Sequence, residues 1–344
     1  MNNFKILIIA DLDHFERLNK VSNTRFHFLH HLKKMYPSQI KLIGSSSSDI
    51  FQRGMNVNLL LDKLRVQQEF IPQLLVHYVI GPGAGNLGEQ ILVNGLVDLQ
   101  IPKCLWIEDI QYCAHYAHIL IKPHKFESVI LQYKNINIAK EYLKLIPTLK
   151  LVYLEQFIDP NIFKPYHTNF NQKSVDVLFY GYVDEVYPFR QRLHNLLKKL
   201  DNQICVKFIE HPGYHQLENK QSITGIELAK EISNAKLCIC TSSRYDLFLK
   251  KYLETAFCQT MICGNIPTDY KQMLSPDLIV EITQNMSDIE IITVIKEALS
   301  DNVLLNSKTL QLSKKIIDKY SFDQGCQHFI SLSFRLYLNI KFQL

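Results

Sequence analysis

Short apolar runs recur along the chain, each opening into polar or glycine-bearing residues, and between them apolar positions return at helical spacing. The first run, Lys5-Ile6-Leu7-Ile8-Ile9-Ala10, has no polar alternation. That pattern fits a parallel strand covered on both faces. The pattern predicts a helix over 24–35 and further strands at 40–43, 76–80, 103–107, 128–132 and 150–154. Two prolines, Pro160 and Pro165, and a polar run from His167 to Ser174 then interrupt both periodicities, which is the composition of a connection between domains. Strand signals restart at 175–181, 204–209, 237–240, 261–263 and 278–282, with a helix over 190–200 among them. From Ser287 onward the pattern is helical, ending in a helix over 323–340. Strands alternating with helices predict an α/β protein with two doubly wound parallel sheets in tandem. The expected division is a first domain over 1–166, a linker over 167–174, a second domain over 175–322, and a C-terminal helix over 323–344 packing back on the first domain.

The chain's 344 residues suit two domains of ~150 residues each. Hydrophobic residues at 47% supply enough material for two cores. A net charge of +5, from 38 basic against 33 acidic side chains with no long basic run, excludes nucleic acid as the inferred partner and suits anionic small ligands. The opening apolar run stops at Asp11-Leu12-Asp13-His14, unlike a secretory leader, and no segment nears the ~20 apolar residues that cross a bilayer. A soluble, cytoplasmic protein with at most peripheral membrane contact is expected. Eight cysteines without a Cys-x-x-Cys pair read as free thiols in a reducing compartment.

The most telling stretch runs from Ser242 to Ala256. It sets Asp246 and Glu254 eight positions apart around Lys251, after the apolar strand over 237–240 and at the entry to a helix with an apolar face at Leu249, Tyr252, Leu253, Ala256 and Phe257. A strand, polar loop and helix in that order place side chains at the carboxyl edge of a parallel sheet, where nucleotides and phosphates bind. Carboxylates accept paired hydrogen bonds from sugar hydroxyls, and a nearby cation neutralises phosphate, so the stretch fits a nucleotide sugar. Lys251 and Glu254 share a helix face, and a structural ion pair is the plain alternative. Elsewhere, Gly83-Ala84-Gly85-Asn86-Leu87-Gly88 formally fits a dinucleotide fingerprint, but it follows about the third strand and Pro82 stiffens its turn, so a flexible loop is the favoured reading. His27, His30 and His31, and His115 and His118 beside Cys113, lack companion ligands, and no metal is expected.

The second half resembles the donor domain of GT-B glycosyltransferases, in particular the glycosyl transferases group 1 (family 4-like) and the related spore-coat type glycosyltransferase-like proteins. The resemblance rests on Phe157-Ile158-Asp159-Pro160-Asn161-Ile162-Phe163-Lys164-Pro165, on Asp176 to Gly181 with Arg190 downstream, on His211-Pro212-Gly213-Tyr214, and on Asp246 to Ala256. It implies two Rossmann-like domains facing across a cleft, with C-terminal helices, and transfer of a sugar from a nucleotide-diphosphate sugar to a glycan, lipid or protein acceptor. No cofactor is implied; the donor is the substrate. By the same resemblance Gly181 lets backbone amides approach the diphosphate, Arg190 and Lys251 offset its charge, Glu254 takes the ribose and Asp246 the sugar, with His211, Tyr214 and Arg244 beside them. Retention of anomeric configuration without a metal is implied as well. Two positions depart from the family: Asp246 replaces the usual glutamate, and Gln259 stands where a glycine is usual. In the first domain Asp109, Asp13 and His14 follow strands and could act on the acceptor hydroxyl, although a helix cap or turn explains each equally well. A catalytically silent sugar- or nucleotide-binding module of a coat or surface assembly is the alternative function.

Overall fold

The computed structural model describes residues 3–14, 24–82, 86–200, 202–210 and 223–342. They fall into two compact units. The first unit takes the chain up to Gln156 together with Gly325 onward, and the second takes Phe157–Gln324.

Six parallel strands form the first unit's sheet: β1 (Ile6–Ile9), β2 (Ile40–Ile43), β3 (Leu74–Val79), β4 (Lys103–Ile107), β5 (Ser128–Leu131) and β6 (Lys150–Tyr153), in the order β2-β1-β3-β4-β5-β6. All four side chains of β1 are fully buried. The unbroken apolar run is explained by this two-sided cover, since crossover helices shield both faces of a parallel sheet. Trp106 of β4 anchors the packing. Its ring stacks on Phe329 of the C-terminal helix Phe322–Lys341 at 5.4 Å and meets Tyr78 edge-on at 5.0 Å. Aromatic pairs in such geometry add to plain area burial. Phe4 packs on Phe334 and Tyr337 of the same helix, both at 5.3 Å.

The second unit's sheet has five parallel strands, β7 (Val175–Gly181), β8 (Val206–Glu210), β9 (Ala235–Cys240), β10 (Met261–Gly264) and β11 (Val280–Glu281), in the order β11-β10-β9-β7-β8. Phe179, Leu193, Leu197, Leu237, Ile239 and Met261 build its core. In this unit the connections leave β7 on one side to β8 and return on the other to β9, so the strand order reverses between β7 and β9. The first sheet reverses in the same way between β1 and β3. Ligands of open α/β sheets bind outside the carboxyl ends of the strands at such reversals.

Sequence pattern and structure agree on the strands and differ at their ends. β11 shrinks to two residues because Pro276–Leu278 takes a tight helical turn instead of joining the ladder. The helix Val57–Gln68 buries only Val57, Leu60 and Leu64, too thin an apolar stripe to stand out by periodicity. Among the described residues no helix is long and apolar enough to cross a membrane.

Gln259 has a positive φ of 52° just past the C-cap Cys258 of the helix Lys250–Phe257. Its amide donates to the Ala256 carbonyl and the Thr260 amide to the Thr255 carbonyl, both at 3.1 Å. This bond pair is a Schellman motif, whose left-handed residue is usually glycine. The buried Lys173 ammonium closes the end of the same helix, donating to the carbonyls of Gln259 (2.6 Å) and Ala235 (3.0 Å). Replacing a strained left-handed residue by glycine relieves about 1 kcal/mol. Gln259→Gly is therefore expected to raise stability by about that amount, read as a higher urea midpoint with an unchanged slope; a lower midpoint would show that the glutamine side chain outweighs the strain.

Candidate functional site

The carboxyl edge at the β7–β9 reversal gathers several of the residues that the sequence singles out. β7 ends in Tyr180-Gly181, and Gly181 holds a φ of +110°. A Cβ at Gly181 would stand 3.1 Å from Lys251 Nζ. Two constraints thus coincide at this position: the backbone conformation disfavours a side chain, and the space belongs to the lysine. Lys251 lies in the first turn of the helix Lys250–Phe257 and is only 8% exposed. Its Nζ donates to the Tyr180 carbonyl and sits 4.3 Å from the centre of the Tyr180 ring.

Arg190, in the first turn of the helix Pro188–Leu200, is also buried. Its Nε donates to Thr241 Oγ1 at 2.9 Å and one terminal nitrogen to the Tyr182 carbonyl at 3.0 Å. Its guanidinium carbon lies 4.3 Å from the centre of the Tyr187 ring. Thr241 directly follows β9, so Arg190 ties the ends of two strands together. Burial and the Arg190 charge pull the Lys251 ammonium down to about 8. Both causes disfavour a cation, and an anion bound beside Gly181 would oppose them by favouring the charged ammonium.

Glu254, one turn along the helix and 4% exposed, accepts from the Tyr180 hydroxyl at 2.8 Å on one oxygen and pairs with Lys250 Nζ at 3.0 Å on the other. Lys250 is the outer partner, with 30% of its side chain exposed.

Asp246 lies in the loop before the helix, as the pattern predicts, with a positive φ of 57°. Its Oδ2 accepts from the Thr268 amide at 2.9 Å, and its own amide donates to the Ser243 carbonyl at 2.9 Å. Aspartate tolerates the left-handed region better than glutamate because its short carboxylate bonds to nearby backbone. The positive φ at this position favours aspartate over glutamate. Arg244 is exposed, and its guanidinium carbon lies 4.7 Å from the centre of the Tyr245 ring. His211 and Tyr214 lie outside the described residues.

In the first unit Asp109 follows β4 and is half-buried. It packs against Gly81, whose φ is +142° and whose Cβ would come within 2.6 Å of Asp109 Oδ2. Burial raises the Asp109 carboxyl, and Arg25 opposes that rise. Arg25 is ion-paired with the neighbouring Glu108, itself buried. Asp13 has a different role. Its carboxylate accepts from the Ser46 amide at 2.8 Å and the Ser45 hydroxyl at 3.0 Å, fixing the loop after β2. The His14 amide donates to Asp11 Oδ1 at 3.0 Å, a turn contact. Gly83, Ala84 and Gly85 lie outside the described residues, and the neighbouring Asn86 caps the turn at Gly88 with a 3.0 Å bond.

Tyr180, Thr241 and Arg25 escape sequence reading. Tyr180 stands in an apolar strand, where a tyrosine reads as core, and only its place before a glycine at the strand end marks it out.

Neither a family model nor a curated protein matches the sequence. Solved structures do. A sucrose-phosphate synthase from Thermosynechococcus elongatus aligns with a TM-score of 0.61 at 11% identity, over 97% of this chain and 99% of that one. A glycosyltransferase from Rickettsia africae ESF-5 aligns at 0.56 and 12%, over 97% and 98%. Anabaena HepE in complex with UDP and glucose aligns at 0.51 and 10%, over 96% and 99%. At these identities the likeness defines the fold, which is that of the GT-B glycosyltransferases.

The Gly181 geometry is open to a direct test. Gly181→Ala is expected to destabilise the protein by about 1–2 kcal/mol in urea unfolding. In a Lys251→Met background, where the methionine end can shift away, the steric part of that loss is expected to shrink; equal losses in both backgrounds would assign the whole effect to the backbone.

Proposed function

We propose that the protein is a glycosyltransferase whose second unit holds a nucleotide-diphosphate sugar at the β7–β9 reversal. The observation that carries this reading is the pair Arg190 and Lys251. Both cations are buried at the same sheet edge, Lys251 behind Gly181 and Arg190 held by Thr241 after β9 and the Tyr182 carbonyl after β7, and the Arg190 charge helps to lower Lys251. Cations buried side by side are unfavourable unless something anionic joins them. A diphosphate supplies that charge. The UDP bound to Anabaena HepE, a protein of the same fold, is consistent with this assignment.

In the reaction the bond between the anomeric carbon and the diphosphate oxygen breaks, the acceptor oxygen bonds to that carbon, and its proton leaves for the departing diphosphate or a protein base. Charge builds on the leaving diphosphate, so Arg190, Lys251 and the backbone amide at Gly181 carry most of the electrostatic work. These groups make transfer independent of a metal ion. Glu254 takes the ribose through the acceptor positions its oxygens retain beyond Tyr180 and Lys250, and Asp246 takes the sugar. The anomeric configuration is retained. The first unit takes a glycan, lipid or protein acceptor, and of the candidates Asp109, Asp13 and His14 the first is preferred, because the Asp13 carboxylate is engaged by Ser45 and Ser46 in the loop after β2.

Titration calorimetry with UDP, GDP, ADP and their hexose conjugates tests the donor site. One nucleotide series is expected to bind, with Lys251→Met and Arg190→Met each weakening it by about tenfold to a hundredfold. Absence of binding, or affinity indifferent to both substitutions, would overturn the reading. Bound anion favours the ammonium form, so affinity is expected to be full below pH 8 and to fall as the pH rises past about 8, where the free protein's Lys251 loses its proton. Lys251→Arg should remove that fall.

Asp109→Asn is expected to slow transfer to acceptor at least tenfold while leaving donor affinity unchanged. Nuclear magnetic resonance of the product anomer checks retention. Donor binding without transfer to any acceptor would favour the silent binding module.

A further inference from the structure

Three separate contacts of one residue meet in the second unit. The Tyr180 hydroxyl donates to Glu254 at 2.8 Å, its carbonyl accepts from Lys251 Nζ, and its ring faces that same ammonium at 4.3 Å. Tyr180 is 7% exposed and is followed by Gly181 with its positive φ. Its hydroxyl, carbonyl and ring are all taken up by these protein contacts, and through them it touches both the cation and the carboxylate assigned to the donor. We infer that Tyr180 is a positioning residue of the donor site, clamping Glu254 from within while Lys250 clamps it from without, and seating Lys251 behind Gly181. The inference rests on the donor reading above and names the residue through which the phosphate-binding and ribose-binding parts of that site are joined.

The chemistry of the clamp is specific. Burial and the adjacent carboxylate raise the Tyr180 phenol well above its ordinary value, so it stays protonated and donates. Glu254 Oε2 takes that proton donor and Oε1 takes the Lys250 ammonium, which fixes the carboxylate plane and leaves each oxygen a second acceptor position. A carboxylate held at both oxygens can meet a ribose hydroxyl without first losing rotamer freedom. Phenylalanine at this position would keep the ring under Lys251 and the backbone carbonyl, and remove only the clamp on Glu254. That separation makes the role measurable.

The experiment is a double-mutant cycle on affinity for whichever of UDP, GDP and ADP the wild type binds most tightly. Tyr180→Phe is expected to weaken that affinity about tenfold, the scale of a hydrogen bond to a charged group. Glu254→Met is expected to weaken it at least as much, and Tyr180→Phe added to Glu254→Met should cost nothing further, because the hydroxyl acts only through the carboxylate. Unchanged affinity in Tyr180→Phe, or a full additional loss in the double variant, overturns the inference while leaving the donor site in place. A wild type that binds none of the three nucleotides removes the donor reading and the inference with it. Should Tyr180→Phe lose its fold by circular dichroism, Lys250→Met runs the same cycle from the outer side of the clamp. Weaker binding alone and no added loss on Glu254→Met support the clamp, and additivity or no effect overturns it. A merely structural role would lower the melting temperature without this dependence on Glu254.

Discussion

The burial of Lys251 beneath Gly181 is the constraint on which the second unit's edge depends. An ammonium removed from water loses several kcal/mol of solvation, and here Arg190 adds repulsion rather than relief. What offsets this is local: the Tyr180 carbonyl and ring, with Glu254 further along the same helix. The glycine that makes room for the ammonium also holds a positive φ that other residues rarely adopt. Any side chain larger than hydrogen at that position would meet both the strain and the lysine. A site that keeps two cations poorly solvated is preorganised for an anion, since binding restores what burial removed.

The fold delivers these groups from four separate segments. Tyr180 and Gly181 end β7, Thr241 follows β9, Arg190 opens the helix after β7, and Lys251 and Glu254 open the helix after β9. Two strands at a sheet reversal leave a gap that their helices do not cover, and side chains from the first two turns of the helices reach it. The helix Lys250–Phe257 is locked from its other end by the Schellman motif at Gln259 and by Lys173, so Lys251 and Glu254 stand on a backbone pinned on both sides. Rigid supports of this kind let charged side chains act without reorganising when ligand arrives.

Much of the fold was legible in the sequence because parallel strands buried on both faces leave unbroken apolar runs, and β1 and the 237–240 part of β9 are such runs. The spacing from Asp246 to Glu254 was legible for a similar reason: a polar loop between an apolar strand and an amphipathic helix has only one place to go in an open α/β sheet. The roles inside the site were harder. Tyr180 reads as core because its contacts are made by a hydroxyl whose partner lies 74 residues away. Lys251 and Glu254 share a helix face by spacing, yet it is Lys250 that holds Glu254 at i+4 while Lys251 turns to the strand. Gln259 reads only as a missing glycine, and the positive φ shows that the chain keeps the turn and bears its strain. Tertiary pairings across tens of residues leave no periodic trace, which is why they escaped.

The most direct test of the buried cation pair as a diphosphate site is a crystal structure with UDP or GDP bound. Phosphate oxygens within hydrogen-bonding distance of Lys251 Nζ and the Gly181 amide, with Arg190 completing the charge, are the expected result. A nucleotide lodged elsewhere on the second unit, with Lys251 still turned to the Tyr180 carbonyl alone, would contradict it.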